Sequence, residues 1–138
     1  MAETVRDAMT PSPRTVESTA TATAAARVMR DEDVGLVPIV ESDRVTGMVT
    51  DRDIAVRVVA EGRSPADTRV SDIASRELVT IDPDRSLDEA LRLMAKHQVR
   101  RLPVVEEDGK LVGIVAQADV AKRAAADKTG EVVEKISK

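Results

Sequence analysis

Phenylalanine, tyrosine and tryptophan are all missing from this chain of 138 residues. With no ring to fill a gap or stack on a base, the interior has to be assembled from Val, Ile, Leu, Ala and Met. Met9, Met29, Met48 and Met94 accordingly read as core filler. Cysteine is also missing, which excludes disulfides, thiolate metal sites and cysteine nucleophiles. The single histidine, His97, argues against a His-rich metal centre; at a helix end before a strand it reads as a C-terminal cation. No apolar run approaches a membrane span, and Met1-Ala2-Glu3-Thr4-Val5-Arg6-Asp7 lacks the basic-then-apolar order of a secretion signal. A cytoplasmic protein without membrane contact is expected.

Positive charge is not in excess either. Twenty-one Lys and Arg face 25 Asp and Glu, interspersed, for a net charge of -4. A nucleic-acid partner calls for a basic patch and, for single strands, aromatics, so none is expected. No glycine-rich phosphate loop and no Ser/His/Asp nucleophile elbow are present. Asp51 and Asp53 lie too close in sequence to act as a divided acid/base pair. The expectation is a protein that is not an enzyme and requires no cofactor. A hydrophobic fraction of 42% with 33% charged residues is a globular composition.

What the chain does have is an internal repeat. A shift of 65 positions lays Val5 on Val70, Asp7 on Asp72, Thr15 on Thr80, Arg27 on Arg92, Met29 on Met94, Val34 on Val99 and Pro38 on Pro103. After Gly109, a one-residue insertion, the shift is 66, and Gly47 meets Gly113, Val49 Val115, Asp53 Asp119 and Arg57 Arg123. The repeats divide the chain into unit 1 (5–62), a connector (63–69), unit 2 (70–127) and a charged tail (128–138).

Each half begins with a lead, Thr4–Met9 or Val70–Ser75, and an extended stretch, Arg14–Glu17 or Leu78–Asp82. A helix follows, Thr19–Asp33 or Leu87–Gln98, the second opened by a Ser86–Glu89 capping box. Strands Gly35–Glu41 with Arg44–Thr50, and Val99–Glu106 with Lys110–Ala116, make hairpins. Helices Arg52–Glu61 and Ala118–Ala126 close the halves. This is an α+β fold, β-α-β-β-α twice, with neither half stable alone because each exposes one sheet face. Pro38 and Pro103 imply strand edges or a bulge. The tail, with Val132, Val133 and Ile136, reads as a solvated end.

The segments after the hairpins match closely: Gly47-Met48-Val49-Thr50-Asp51-Arg52-Asp53 and Gly113-Ile114-Val115-Ala116-Gln117-Ala118-Asp119. Thr50 is placed as an N-cap with Asp53 three residues on. Glycine, two apolar residues, Thr, two variable residues and Asp, after apolar-Pro-apolar strands Leu36–Val40 and Leu102–Val105, resemble the CBS domain. The resemblance spans Val5–Ala126. It implies tandem CBS units packed through their sheets about a pseudo-twofold axis, and clefts between them that take an adenosine-containing ligand such as AMP, ATP or S-adenosylmethionine. By position, Asp53 and Asp119 would accept from ribose hydroxyls and Thr50 would donate to a ribose or phosphate oxygen. Backbone near Thr15-Val16 and Thr80-Ile81 would read the adenine edge, beside Pro38 and Pro103.

The two clefts are expected to differ. Asp51 beside Asp53 opposes a phosphate at the first unless Arg14 or Arg52 compensates, which suits ribose. Ala116 removes the hydroxyl from the second, where Gln117 follows and Arg100, Arg101 and Lys110 favour a phosphorylated ligand. The implied role is a regulatory sensor, paired as a homodimer and read by a protein partner. The alternative is a ligand-free interaction or scaffold module that binds a protein partner.

Because the chain has no aromatic residues, the purified protein is expected to be nearly transparent in the near ultraviolet. A co-purified adenine ligand will show as an absorption band there, measured before and after denaturation and filtration.

Overall fold

A computed structural model describes residues 3–75, 78–123 and 125. Its elements run α1 (Val5–Ala8), β1 (Thr10–Pro11), β2 (Val16–Glu17), α2 (Ala22–Glu32), β3 (Leu36–Glu41), β4 (Arg44–Thr50) and α3 (Asp51–Ile54). A π-helical turn (Ala55–Val59), a 3-10 turn (Pro65–Asp67), α4 (Val70–Ile73), α5 (Leu87–His97), β5 (Arg101–Val105) and β6 (Leu111–Ala116) follow. Residues 117–123 form a last helix, α6. The tail at 128–138 and residues 124 and 126 of the expected closing helix lie outside the described residues.

The long helices form where capping and periodicity agree. Thr21 caps α2 by accepting from the Ala24 N–H, and Ser86 caps α5 by accepting from the Glu89 N–H. The first helix thus starts at Ala22, later than Thr19. The reciprocal half of the expected Ser86–Glu89 box is not made, since the Glu89 carboxylate turns to Arg85 at 3.4 Å. Both helices stop at a left-handed residue, Asp33 or Gln98, after which the Val34 and Val99 N–H groups return to the Met29 and Met94 carbonyls.

The strands make two three-stranded sheets, β2-β3-β4 and β1-β6-β5. Ser42 and Asp43 both take positive φ, as a tight two-residue hairpin requires, and Gly109 does so in the longer loop. Pro38 is not on an edge, because β3 is central; the sheet accommodates it with a register shift at Ile39/Val40 and a β2 of two residues. Pro103 does lie on the outer strand of its sheet. The second extended stretch, Leu78–Asp82, reduces to one parallel bridge, Ile81 to Val104, the counterpart of Val16 to Ile39.

The compact units cut across the sequence halves. One contains Ser12–Leu78 with Asp108–Leu111, and the other Met1–Pro11, Val79–Glu107 and Val112–Lys138; they are called here the α2 unit and the α5 unit. Each lead segment packs into the unit built mainly by the other half. In the α5 unit the Val5 N–H donates to the Arg85 carbonyl at 2.8 Å, and β1 pairs with β6. In the α2 unit the Val70 N–H donates to the Ala20 carbonyl at 2.8 Å, and Ser75 bridges Met48.

The two cores are aliphatic, as the missing aromatics dictate. Val16, Ala22, Ala25, Met29, Val37, Ile39, Val49, Val70 and Ile73 share one. Val5, Ala8, Ile81, Leu87, Ala90, Met94, Leu102, Val104 and Val115 share the other. Equivalent positions trade volume: Ala22 accompanies Ile73, whereas Leu87 accompanies Ala8. Such exchange keeps total core volume and avoids both cavities and overpacking.

The closing helix of the first half is not the single α-helix expected over Arg52–Glu61. After α3 the backbone widens into the π-helical turn, with the Ala60 N–H returning to the Ala55 carbonyl. Val58 is thereby fully buried while Val56 and Val59 face outward, the latter 67% exposed.

The lead strand approaches β6 more closely than its counterpart approaches β4. A Cβ at Gly113 would lie 2.5 Å from the Met9 sulfur and 2.9 Å from the Thr10 carbonyl, whereas one at Gly47 meets nothing nearer than 3.6 Å. Gly113→Ala is therefore expected to cost about 1–3 kcal/mol through overpacking, and Gly47→Ala much less. Urea denaturation of the two variants measures the difference.

Candidate functional site

In the α2 unit the expected residues gather at the start of α3. The Thr50 hydroxyl oxygen accepts from the Asp53 N–H at 3.0 Å, and the Asp53 carboxylate accepts from the Thr50 N–H at 2.9 Å. This is the full capping box the spacing predicts, and it fixes the angle at which β4 enters the helix. The second Asp53 oxygen faces Arg57, with Nε at 3.9 Å, and Arg57 Nη1 donates to the Ile73 carbonyl at 3.2 Å. Both carboxylate oxygens of Asp53 are thus engaged, and its side chain is only 15% exposed.

Asp51 is exposed, accepts from the Arg52 N–H at 2.8 Å and donates its own N–H to the Gly35 carbonyl at 2.9 Å. Its carboxylate comes within 2.9 Å of where a Cβ at Gly35 would stand, so a side chain there would have to displace it. Arg14 does not compensate the acids here, because it pairs with Glu32 at 3.4 Å. Thr15 is exposed, while Val16 and Pro38 are buried; Val16 pairs with Ile39, the residue after Pro38, in the β2–β3 ladder.

In the α5 unit the equivalent helix start lacks the cap. Ala116 has no hydroxyl, and the Gln117 N–H donates to the Arg100 carbonyl at 2.7 Å. Without a capping threonine, Asp119 is free of the box and exposed. It lines a cavity of about 480 Å³ with Ala8, Thr10, Lys122 and Arg123. The space is open to solvent. Arg123 donates to Glu3, Nη1 to Oε1 at 3.2 Å.

The other residues expected in this half lie away from that lining. Ile81 and Pro103 are buried neighbours, the Ile81 N–H donating to the Pro103 carbonyl at 3.1 Å and its carbonyl accepting from the Val105 N–H at 2.9 Å. Those two Ile81 groups serve the sheet. Thr80 is half-buried beside them, and Arg100 and Arg101 are exposed without an ion pair among the described residues. The cationic groups the cavity does contain, Lys122 and Arg123, were legible as neighbours of Asp119 at helical spacings of three and four. Thr10 and Ala8 were not, since they come from the opposite end of the chain. Among the described residues no three His, Cys, Asp or Glu side chains converge as a metal site, and no helix is long and apolar enough to cross a membrane.

A β-α-β-β-α unit built twice, with an aspartate on the first turn after each hairpin, defines a class of tandem α+β modules. The family model of the CBS domain matches residues 5–60 and 70–126, and the chain belongs to that family, carrying two such domains. It is 48% identical over 117 residues to the CBS domain-containing protein YhcV of Bacillus subtilis, covering 85% of this chain and 82% of that protein. Its fold matches the crystal structure of Hypoxic Response Protein I with two coordinated zinc ions at a TM-score of 0.80 and 41% identity, covering 87% of this chain and 98% of that one. It also matches CBSX2 in complex with AMP at a TM-score of 0.76 and 26% identity, covering 91% and 98%.

Replacing Thr50 by Ala removes one acceptor from the helix start and is expected to cost about 1 kcal/mol. Thermal unfolding followed by circular dichroism measures it; Ala116, which never had the cap, supplies the internal reference.

Proposed function

We propose that the chain is a non-catalytic regulatory module that takes an adenosine-containing ligand at the Asp119 cavity. The observation that carries this reading is the uncapped carboxylate of Asp119 on the wall of a 480 Å³ cavity. A carboxylate offers paired acceptors to the vicinal hydroxyls of a ribose. Thr10 adds a hydroxyl, and Lys122 and Arg123 supply positive charge for a phosphate or a carboxylate beyond the sugar. AMP binding by a protein of the same fold supports the ligand class. AMP, ATP and S-adenosylmethionine all fit that chemistry. With no aromatic side chain available, aliphatic contact and hydrogen bonds must hold the adenine.

The α2 unit favours the second reading, a module that meets a protein partner without a ligand. There the Asp53 oxygens already have partners in Thr50 and Arg57, so a ribose would have to compete with two existing interactions. Exposed Val56 and Val59 on the same helix offer apolar surface to a partner or a second copy of the chain. A homodimer in the cytoplasm, with ligand at the α5 unit and partner contact at the α2 unit, accommodates both.

Asp119→Ala is expected to reduce AMP affinity by at least tenfold, equivalent to about 1.4 kcal/mol, while Asp53→Ala leaves it nearly unchanged. Isothermal titration calorimetry with AMP, ATP and S-adenosylmethionine decides it. Heat-silent titrations for all three, with a transparent near-ultraviolet spectrum, would remove the ligand reading and leave the partner-binding one.

A further inference from the structure

The Asp119 cavity exists beside an arginine whose counterpart in the other unit lies elsewhere. By the repeat, Arg123 corresponds to Arg57, Asp119 to Asp53, Ala8 to Ile73 and Glu3 to Thr68. In the α2 unit Arg57 stretches from the Asp53 carboxylate, at 3.9 Å, to the Ile73 carbonyl, at 3.2 Å. The same path in the α5 unit would lead from Asp119 to the Ala8 carbonyl. Both residues line the cavity, so an arginine on that path would cover Asp119 and narrow it. Arg123 does not take it; the guanidinium goes instead to Glu3, Nη1 to Oε1 at 3.2 Å.

The difference traces to one position. Thr68 has no carboxylate to offer Arg57; it is buried, and its hydroxyl donates to the Ser64 carbonyl at 2.8 Å. Glu3 presents a carboxylate, with Oε2 buried and without a partner among the described residues. A buried anionic oxygen without a donor is unfavourable by itself, so the Arg123 contact is the interaction that offsets this cost. The pair is partly buried, Glu3 being 30% exposed, and is less screened than a pair on the open surface.

We infer that Glu3 is a positioning residue for the ligand cavity: it holds Arg123 off the line from Asp119 to Ala8 and so keeps the cavity open. This rests on the reading of the Asp119 cavity as a nucleoside site. Loss of the Glu3 charge releases Arg123 to Asp119 and the Ala8 carbonyl, copying the arrangement around Arg57. Asp119 is then neutralised and covered in the free protein, and a ribose must displace the guanidinium before it binds.

The test is a four-protein cycle titrated with adenosine, which has no phosphate for Arg123 to contact, and in parallel with AMP. Glu3→Gln is expected to weaken adenosine binding about tenfold, and the double variant Glu3→Gln/Arg123→Ala to recover it to within about threefold of wild type. Arg123→Ala alone completes the cycle. Damage to the fold would not be repaired by a second deletion, so the recovery separates positioning from general destabilisation. Wild-type binding with an unaffected Glu3→Gln, or a double variant as weak as Glu3→Gln, overturns this inference and leaves the site reading standing. No binding of adenosine or AMP to any of the four proteins overturns both.

Discussion

The exchange of lead segments is the constraint on which the rest of the structure depends. A short helix and strand from one half complete the core and sheet of a unit built mainly by the other, through the paired bonds Val5 to Arg85 and Val70 to Ala20. Remove either lead and its recipient loses two core residues, Val5 with Ala8 or Val70 with Ile73, along with the strand beside β6 or the bridge to β4. In a core of aliphatic side chains, each fully buried Val or Ile contributes about 1.5–3 kcal/mol, so neither unit can spare its lead. The cavity inherits this dependence. Ala8 and Thr10 come from a lead segment, and Asp119, Lys122 and Arg123 from the last described helix.

Duplication followed by divergence explains why equivalent residues do different things. Thr50 and Ala116 stand at the same point of the repeat, yet one hydroxyl decides whether the following aspartate is drawn into a capping box. Arg57 and Arg123 are identical side chains with different partners, because Thr68 and Glu3 differ in charge. These are changes of single side chains on a shared backbone, which is how a common fold acquires sites with distinct chemistry. Membership of the CBS family accounts for the backbone; the individual capping and pairing choices account for which carboxylate faces open space.

Several elements were legible in the sequence and others were not. The long helices and both hairpins followed from periodicity, caps and turn residues, because those interactions are made within a few positions along the chain. The Thr50–Asp53 box was readable for the same reason. The Ser86–Glu89 box formed only in part, since Arg85 competes for the Glu89 carboxylate. Pro38 suggested an edge or a bulge; the sheet placed it on the central strand, beside a register shift and a two-residue neighbour. The π-helical turn at Ala55–Val59 carried no local signal; it accompanies the burial of Val58 and the reach of Arg57 to Ile73, both tertiary contacts.

By itself the sequence determined the repeat, the α+β order, the aliphatic core and the pair of aspartates at helix starts, all of which rest on composition or on short-range spacing. Tertiary structure alone decided which lead joins which sheet, that Asp53 is engaged while Asp119 is open, and that Arg100 and Arg101 stand apart from the cavity. Those outcomes turn on contacts between residues far apart in the chain, Glu3 with Arg123 above all, and no spacing rule brings the third residue to the one hundred and twenty-third. The missing aromatics bear on both levels: they dictate cores that fit by trading Ala for Leu or Ile, and they leave hydrogen bonds and charge to recognise a ligand.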